Sequence, residues 1–560
     1  MNHRTVHLLT AVTCGLLAAT ALGGQTIPVV SSARLRAPQP GEWLTYGREY
    51  NNQRFSPLAR INRDNVSRLT ERWRLQLGQS QPGGLQVTPL VADSRMYVTT
   101  SQNVALAFDL RTRAELWRYE HKLGTVRFCC GPSNRGAALG HGLVYMATLD
   151  AHVVALDAAT GAVRWDVTAA DGASGYSFTM APLVIDDLVI VGSSGGEFGT
   201  RGWVAAYAAL SGALIWRWYT VPSPEEGGWW GKWAAATPTG EDLRRDLEKE
   251  KSDAAKYENA WTRGGVPVWA NPGYDADLGL LYVATGNPAP SNDGTVRPGD
   301  NLYGASVVAL DVKTGKLRWY FQAVPHDVWD YDFANPPVII EQAGRKLLLE
   351  ASKMGFVYVL DASTGALVRR SEAFVPQKNL FLAPTVEGIL SAPGPPGGAN
   401  WPASAYSSLT NLLYVVGLDW PFVVSRRTSP EPNKGEIYIG GGQRPEGTPK
   451  GVLSAIDPAS GKIAWQVNTD PLWSGALVTA GGVLFAGDVS GWYRAYDAST
   501  GQRLWEFSAE VGVNAPGVSF ELDGEQYIAV AAGGSRYSKT RGSTIIVFGL
   551  AAGAATSPSK

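Results

Sequence analysis

Apolar residues fall along this chain in short runs rich in β-branched and aromatic side chains. Examples are 96–100 (MYVTT), 144–148 (VYMAT), 281–285 (LYVAT) and 484–488 (LFAGD). Runs of this length and composition, broken by Gly and Asp, predict strands. Each is followed by a second pattern, Ala-x-Asp-x-x-Thr-Gly-x-x-x-Trp. It reads clearly at 155–165 (ALDAATGAVRW), 309–319 (ALDVKTGKLRW), 455–465 (AIDPASGKIAW) and 495–505 (AYDASTGQRLW), with degenerate copies at 107–117, 206–216 and 359–369. Its Asp and Gly predict a tight turn between two strands, because Gly tolerates positive φ. Its Trp is then free to pack between neighbouring sheets. Each unit is expected to be a four-stranded antiparallel sheet, A to D, with the motif spanning strands C and D.

The motif Asp stands at 109, 157, 311, 361, 457 and 497, with Ala208 in the third copy. The spacing is 40 to 51 residues, apart from steps of 103 and 96. A strand-rich repeat of this period means a propeller or a solenoid. Seven copies are whole and an eighth is split. Residues 69–77 hold a D-strand Trp, Trp73, with no C strand before it, and 544–549 (TIIVFG) read as a C strand with no D strand after it. Joining them closes the ring and removes exposed sheet edges; a solenoid gives no reason for the split. The expected fold is all-β: an eight-bladed β-propeller of four-stranded antiparallel blades with tryptophan-docking repeats, closed by N- and C-terminal strands. It occupies 25–550 as one domain, with an inserted segment at 223–263 and a disordered tail at 551–560.

Composition narrows the class. With 45% hydrophobic residues, 18% charged and 20 Trp, the chain can fill a large core, which excludes disorder. Lys+Arg 49 against Asp+Glu 50 leaves no basic field for nucleic acid or anionic lipid. His3, Arg4 and His7 flank the start of an apolar run at 8–22, followed by small residues at 21–24. The run is short for a membrane span. It predicts a signal peptide over 1–24, cleaved near Gly23 or Gln25, with an uncleaved anchor as the alternative. No other apolar stretch approaches a membrane-spanning length, so the mature chain is expected to be periplasmic and to lack a span. It keeps two cysteines, the adjacent Cys129 and Cys130, and no Cys-x-x-Cys-His haem motif.

The B–C turns and D-to-A links of a propeller share one face. The end of strand B ordinarily precedes the motif Asp by 9 residues, but by 15 from Ser193 to Ala208 and by 26 from Thr285 to Asp311. These long turns carry Glu197 and Asn287, and Lys353 stands at the same phase in the fifth blade. The links hold Cys129, Cys130, Thr179, Asp330, Trp473 and Asn514. Carboxylates, an amide, a lysine, paired cysteines and tryptophans on one face point to a site for a flat anionic ligand with a metal. A Gly-x-Ser-x-Gly match at 192–196 is set aside, because a nucleophile elbow leads into a helix and here strand follows strand. His121, His141, His152 and His326 show no i, i+4 ligand pairing.

The chain resembles the pyrroloquinoline quinone (PQQ)-dependent alcohol dehydrogenases, which include methanol dehydrogenase and sugar-oxidising quinoproteins. The likeness spans nearly all of 43–549. It runs through Tyr46-Gly47, Gln53-Arg54-Phe55-Ser56-Pro57-Leu58, Ile61-Asn62-Arg63-Asp64-Asn65-Val66, Cys129-Cys130 and Asn134-Arg135-Gly136. It continues with Gly195-Gly196-Glu197-Phe198-Gly199, Gly286-Asn287-Pro288, His326-Asp327-Val328-Trp329-Asp330, Gly398-Ala399-Asn400-Trp401-Pro402 and Asn514-Ala515-Pro516. The resemblance implies a metal held by Glu197, Asn287 and Asp330: Ca²⁺, with a lanthanide ion as the alternative. Asp332 is a further candidate ligand, since side chains two apart in an extended segment share a face; orienting Lys353 or capping a turn are its other possible roles. Asp330 is implied as general base, with Glu197 second, and hydride passes to the quinone C5. Lys353 is implied to bind the quinone oxygens. Cys129 and Cys130 are implied to form a disulfide against one face of PQQ, with Trp269 on the other, the alternative position being Val268. Arg135, Thr179, Gly195, Gly196, Asn400 and Trp473 match cofactor contacts, and Gln86 stands where some relatives have Glu.

The implied function is a periplasmic PQQ-dependent dehydrogenase oxidising an alcohol or polyol to the carbonyl compound. A sugar or aldose dehydrogenase is the alternative, towards which Lys353 in place of Arg leans. A non-catalytic envelope scaffold is a third reading, and it has no need of these side chains on one face. Without a haem motif, electrons are expected to leave to a separate acceptor, cytochrome c. The segment 223–263, with Trp229, Trp230, Trp233 and Trp261 around a charged helical stretch at 241–258, is expected either to cover the site and restrict the substrate or to decorate the surface.

Overall fold

The computed structural model describes residues 29–80, 82–428 and 436–551. The expected signal peptide at 1–24 and the tail beyond 551 lie outside the described residues. The repeat folds as its pattern predicts. In blade 1, Leu90–Ala92, Arg95–Thr99, Val104–Asp109 and Glu115–Glu120 pair in that order. Six more such sheets follow along the chain. Blade 8 takes Val518–Leu522, Glu525–Ala532 and Thr544–Leu550 from the C-terminal end and Leu69–Gln76 from the other. The closing ladder runs from Leu69↔Leu550 to Gln76↔Thr544.

The motif works between blades. Asp157 Oδ1 accepts the N–H groups of Ala159 and Thr160 and so forms the C–D turn. Gly161 follows at φ 73, and a Cβ there would stand 2.8 Å from the Trp117 ring of the preceding blade. Trp117 Nε1 donates to Ala158 O at 3.1 Å. The same bond links Trp165 to Ala209, Trp216 to Val312, Trp319 to Ala362, Trp465 to Ala498 and Trp505 to Leu69. Each of these Trp residues satisfies its polar atom on the next blade while its ring fills the gap between sheets. Blade 5 has Arg369 at this position instead. Every C–D pair also carries a register shift beside the motif, as at Ala107/Phe108, Ala309/Leu310 and Glu71/Trp73, which sharpens the twist locally.

The two long steps in the repeat are insertions. Within 223–263 the expected helix shrinks to Leu247–Asp253, started by the Asp246 side chain accepting from Lys249 N. Glu241 is held away from it by Thr237, Thr239 and Arg370. The other step lies in blade 6, where two extra strands, Phe422–Arg426 and Gly441–Pro445, pair with Ile389–Ser391 as a small sheet of their own.

Residues 43–56 cross the propeller axis. Tyr50 donates to Val184 O, Asn52 to Pro272 O and Pro337 O, and Gln53 to Ile339 O. Arg54 reaches Ala476 O and Gly517 O, and Phe55–Ser56 pairs in parallel with Val478 and Thr479. These partners belong to, or lead into, the first strands of blades 3, 4, 5, 7 and 8. The arm therefore ties the inner strands together beneath the functional face.

Candidate active site

The B–C turns and D-to-A links converge on a cavity of about 340 Å³. Its wall includes Gln86, Cys129, Cys130, Arg135, Thr179, Gly195, Trp269, Asn400 and Trp473, together with Glu197, Asp330, Asp332 and Lys353. Two of the expected residues stand behind the wall. A Cβ on Gly196 would lie 2.7 Å from Pro267 Cδ. The Asn287 amide donates to Ser291 Oγ at 2.7 Å and to Pro288 O at 3.1 Å, and it is Ser291 that lines the cavity. Of Trp269 and Val268, Val268 is fully buried in the core and Trp269 faces the cavity. Gly195 adopts φ 100, and a Cβ there would sit 1.9 Å from Gly175 O, so the turn presenting Glu197 requires glycine.

On the cavity wall Lys353 Nζ lies 2.9 Å from Asp330 Oδ1 and 3.2 Å from Asp332 Oδ1. Trp269 Nε1 donates to Asp332 Oδ2 at 3.1 Å, while Asp332 Oδ1 is buried against the Lys353 ammonium. Burial raises the Asp330 carboxyl well above the usual range; the Lys353 cation opposes this and Asp332 adds to it. The same two carboxylates hold the Lys353 ammonium above its ordinary value against the cost of burial. Glu197 is also raised, chiefly by burial. Its carboxylate lies within 4.8 Å of the Cys129 and Cys130 sulfurs, which are joined to each other in a disulfide. The three carboxylates do not gather to a single point among the described residues.

Arg135 also stands on the wall. It donates to Thr179 Oγ1 at 2.9 Å and to Trp269 O at 3.2 Å, and its charge lies over the Trp269 and Trp401 rings at 5.3 and 5.1 Å. No carboxylate pairs with it among the described residues, its Nε is buried without a partner, and burial lowers its pKa to about 10. A desolvated guanidinium kept charged without an anion is an incomplete site.

Several wall residues lie outside the repeat pattern. Phe128, Ile437, Ile439, Gln443 and Tyr537 all line the cavity. Gln443 Nε2 reaches Asp330 Oδ2 at 3.4 Å and Asn292 Oδ1 at 3.2 Å. Three of them come from the insertion in blade 6, which carries no motif. The segment 223–263, expected either to cover the site or to decorate the surface, does not line this cavity among the described residues. Its polar groups are used elsewhere. Lys232 N, Ala234 N and Arg245 Nη1 bind Asp300 at 2.7, 2.9 and 2.6 Å, and Glu250 accepts from Gly299 N. The segment braces the turn at 299–300 from outside. Beside it, His326 Nδ1 donates to Gly299 O at 2.7 Å and lies 3.7 Å from Glu250 Oε2, and burial depresses its pKa to about 3. Between that value and the ordinary 6.5, the unfolded chain binds the extra proton, so stability is full above pH 6.5 and is lost as pH falls. Urea unfolding should weaken by about 2 kcal/mol from pH 6.5 to 5 through this group. His326→Gln should flatten that part of the profile; an unchanged slope would rule His326 out as its source.

Comparison with known proteins agrees with the geometry. A family model described as PQQ glucose/ethanol/alcohol dehydrogenase, beta-propeller domain, matches residues 43–380. A model described as outer membrane protein assembly factor BamB matches 449–546, a stretch containing two docking motifs. The chain is 36% identical over 538 residues to quinohemoprotein alcohol dehydrogenase ADH IIB of Pseudomonas putida, covering 90% of this chain and 75% of that one. It is 35% identical over 550 residues to quinoprotein alcohol dehydrogenase PedH of Pseudomonas putida, covering 92% and 91%. The solved structure of a europium-containing methanol dehydrogenase matches with a TM-score of 0.79 at 29% identity, over 92% of this chain and 99% of that one. A match of this extent, on a propeller whose one deep face carries these side chains, means that the chain belongs to the PQQ-dependent alcohol dehydrogenase family.

Proposed function

We propose that the protein is a periplasmic PQQ-dependent dehydrogenase that oxidises an alcohol or polyol to the carbonyl compound and passes the electrons to a separate cytochrome c. The observation that carries this reading is the unpaired, buried Arg135 in a cavity walled by the Cys129–Cys130 disulfide and the Trp269 ring. An anionic, planar group completes such a site. Arg135, Thr179 and Asn400 would bind its carboxylates and carbonyls, and the disulfide and Trp269 would contact its flat faces. Glu197, Asn287 Oδ1, Asp330 and Asp332 are hard oxygen donors, suited to Ca²⁺ or a lanthanide ion. Bound PQQ supplies a two-electron acceptor and the metal a Lewis acid. The chain's own part is to exclude water, to hold the alcohol against Asp330, and to accept its hydroxyl proton on that carboxylate. Lys353 Nζ provides fixed positive charge beside it. A dye-linked assay on protein loaded with PQQ and metal tests this. Reduction with alcohols is the expected result; activity only with aldoses would move the substrate class to sugars, and none with either would leave a scaffold.

The metal follows from Asp332. Asp332, whose Oδ1 lies 3.2 Å from Lys353 Nζ, gives the site a third carboxylate, which suits a trivalent ion, although Ca²⁺ takes about 6–8 oxygens and can be served without it. Metal-free, PQQ-loaded protein should be activated by Ca²⁺, and this should persist in Asp332→Ala. Activation by La³⁺ alone, lost in that variant, would establish the lanthanide instead.

A further inference from the structure

Asp330 reaches the cavity on an unusual backbone. Its φ is 67, in the left-handed region that a non-glycine residue seldom occupies. The residues flanking it explain how it is held. Asp327 Oδ1 accepts from Trp329 N at 2.9 Å, and Asp327 Oδ2 accepts from Tyr331 N at 2.9 Å. One carboxylate thus grips the N–H groups on both sides of Asp330. Asp327 is almost fully buried, and its own carbonyl accepts from Arg297 Nη2 at 2.6 Å.

Arg297 is buried completely and spreads its fork over a second loop. It donates to Pro290 O at 3.0 Å, to Asn301 Oδ1 at 2.5 Å and to Ser291 O at 3.4 Å. That loop is the B–C turn of blade 4, which carries Asn287 and the wall residue Ser291. Neither Asp327 nor Arg297 lines the cavity, so neither is placed to touch substrate or cofactor.

We propose that Asp327 and Arg297 are positioning residues: Asp327 locks Asp330 in its left-handed conformation, and Arg297 fixes that loop against the turn bearing Asn287. Ligands from two separate loops are then preorganised as one unit. The inference rests on the reading of Asp330 and Asn287 as metal ligands. An Asn at 327 keeps the size but has one acceptor oxygen, so its NH₂ must face one of the two N–H donors. Arg297→Lys keeps the charge but loses the fork that spans the two loops.

The test is metal binding by the full chain without PQQ. Ca²⁺ and La³⁺ are titrated separately and followed by tryptophan fluorescence, each protein at 15 °C below its own unfolding midpoint so that all are folded. Asp327→Asn and Arg297→Lys should each weaken the ion that wild type binds by about 10–100-fold, the range for partners that orient metal ligands. In reconstituted protein at saturating metal, kcat should fall with little change in KM for the alcohol. Unchanged metal affinity in both variants, whatever happens to the unfolding midpoint, would overturn the proposal and leave the two residues as fold supports only. Asp330→Asn measured alongside keeps the readings apart: normal metal affinity there removes Asp330 as ligand, whereas normal affinity only in the Asp327 and Arg297 variants removes the positioning role.

Discussion

Asp330→Asn should retain PQQ and turn over alcohol more slowly by a factor on the order of 10² to 10⁴, the range assigned to general acid–base catalysis. The amide is isosteric with the carboxylate but cannot take the hydroxyl proton. Its surroundings argue for a role in proton transfer: Lys353 Nζ lies 2.9 Å from Oδ1 and Gln443 Nε2 lies 3.4 Å from Oδ2. These two donors fix the carboxylate in the cavity wall, and Lys353 favours its charged form against burial. Substitution also weakens the metal donor set, so metal content has to be measured in the same sample. Full metal with wild-type turnover would exclude Asp330 as base and pass the role to Glu197, the other raised carboxylate on the wall. Full metal with a large fall in kcat and an unchanged KM is the result expected of a base.

The fold was largely legible because its determinants are local and repeated. Asp157, Gly161 and Trp165 encode a turn, a gap for the neighbour's ring and a ring to fill the next gap, and copies of that set reveal the ring of blades. The split blade was legible for the same reason, since Trp73 and 544–549 are halves of one pattern. The site was legible where extra residues lengthened an otherwise constant step, as at Glu197, or stood in a link, as at Asp330. It was not legible where position depends on packing among several loops. Counting along the chain could not show that Val268 is buried in the core while Trp269 faces the cavity. Nor could it show that the Asn287 amide is engaged by Ser291. Gln443 and Ile439 lie in an insertion without period or motif, and only its folding brings both to the cavity wall and Gln443 to Asp330. Whether 223–263 covers the site or decorates the surface was not legible for a related reason. Its Trp residues suggest a cover, but Arg245 and Glu250 find their partners at 299–300, outside the cavity.

Arg54→Ala should cost on the order of 3 to 5 kcal/mol of stability, since it strips a buried cation from three carbonyl acceptors. Arg54 is fully buried, and its guanidinium donates to Ala476 O at 3.0 Å, to Gly517 O at 2.7 Å and to Tyr46 O. It also lies over the Trp43 and Tyr46 rings at 5.1 and 5.3 Å. Burial lowers its pKa only to about 10, so it stays charged at neutral pH. Alanine leaves a cavity and three buried carbonyls without donors, at the point where the N-terminal arm joins blades 7 and 8. Arg60→Ala is the contrast, because Arg60 is exposed and its pair with Glu525 at 3.2 Å lies in solvent; it should change stability by no more than about 0.5 kcal/mol. The loss at Arg54 should also reach the site. Tyr46 packs with Ala403 and with Ala181, which lies two residues along the chain from Thr179, the hydroxyl that accepts from Arg135. Releasing the arm therefore loosens the support under Arg135, and PQQ should bind Arg54→Ala more weakly even where the fold persists. Urea unfolding and PQQ titration of both variants provide the measurements. Equal stabilities for the two, or an Arg54→Ala protein with wild-type stability and PQQ affinity, would mean that the arm is not what ties the inner strands together.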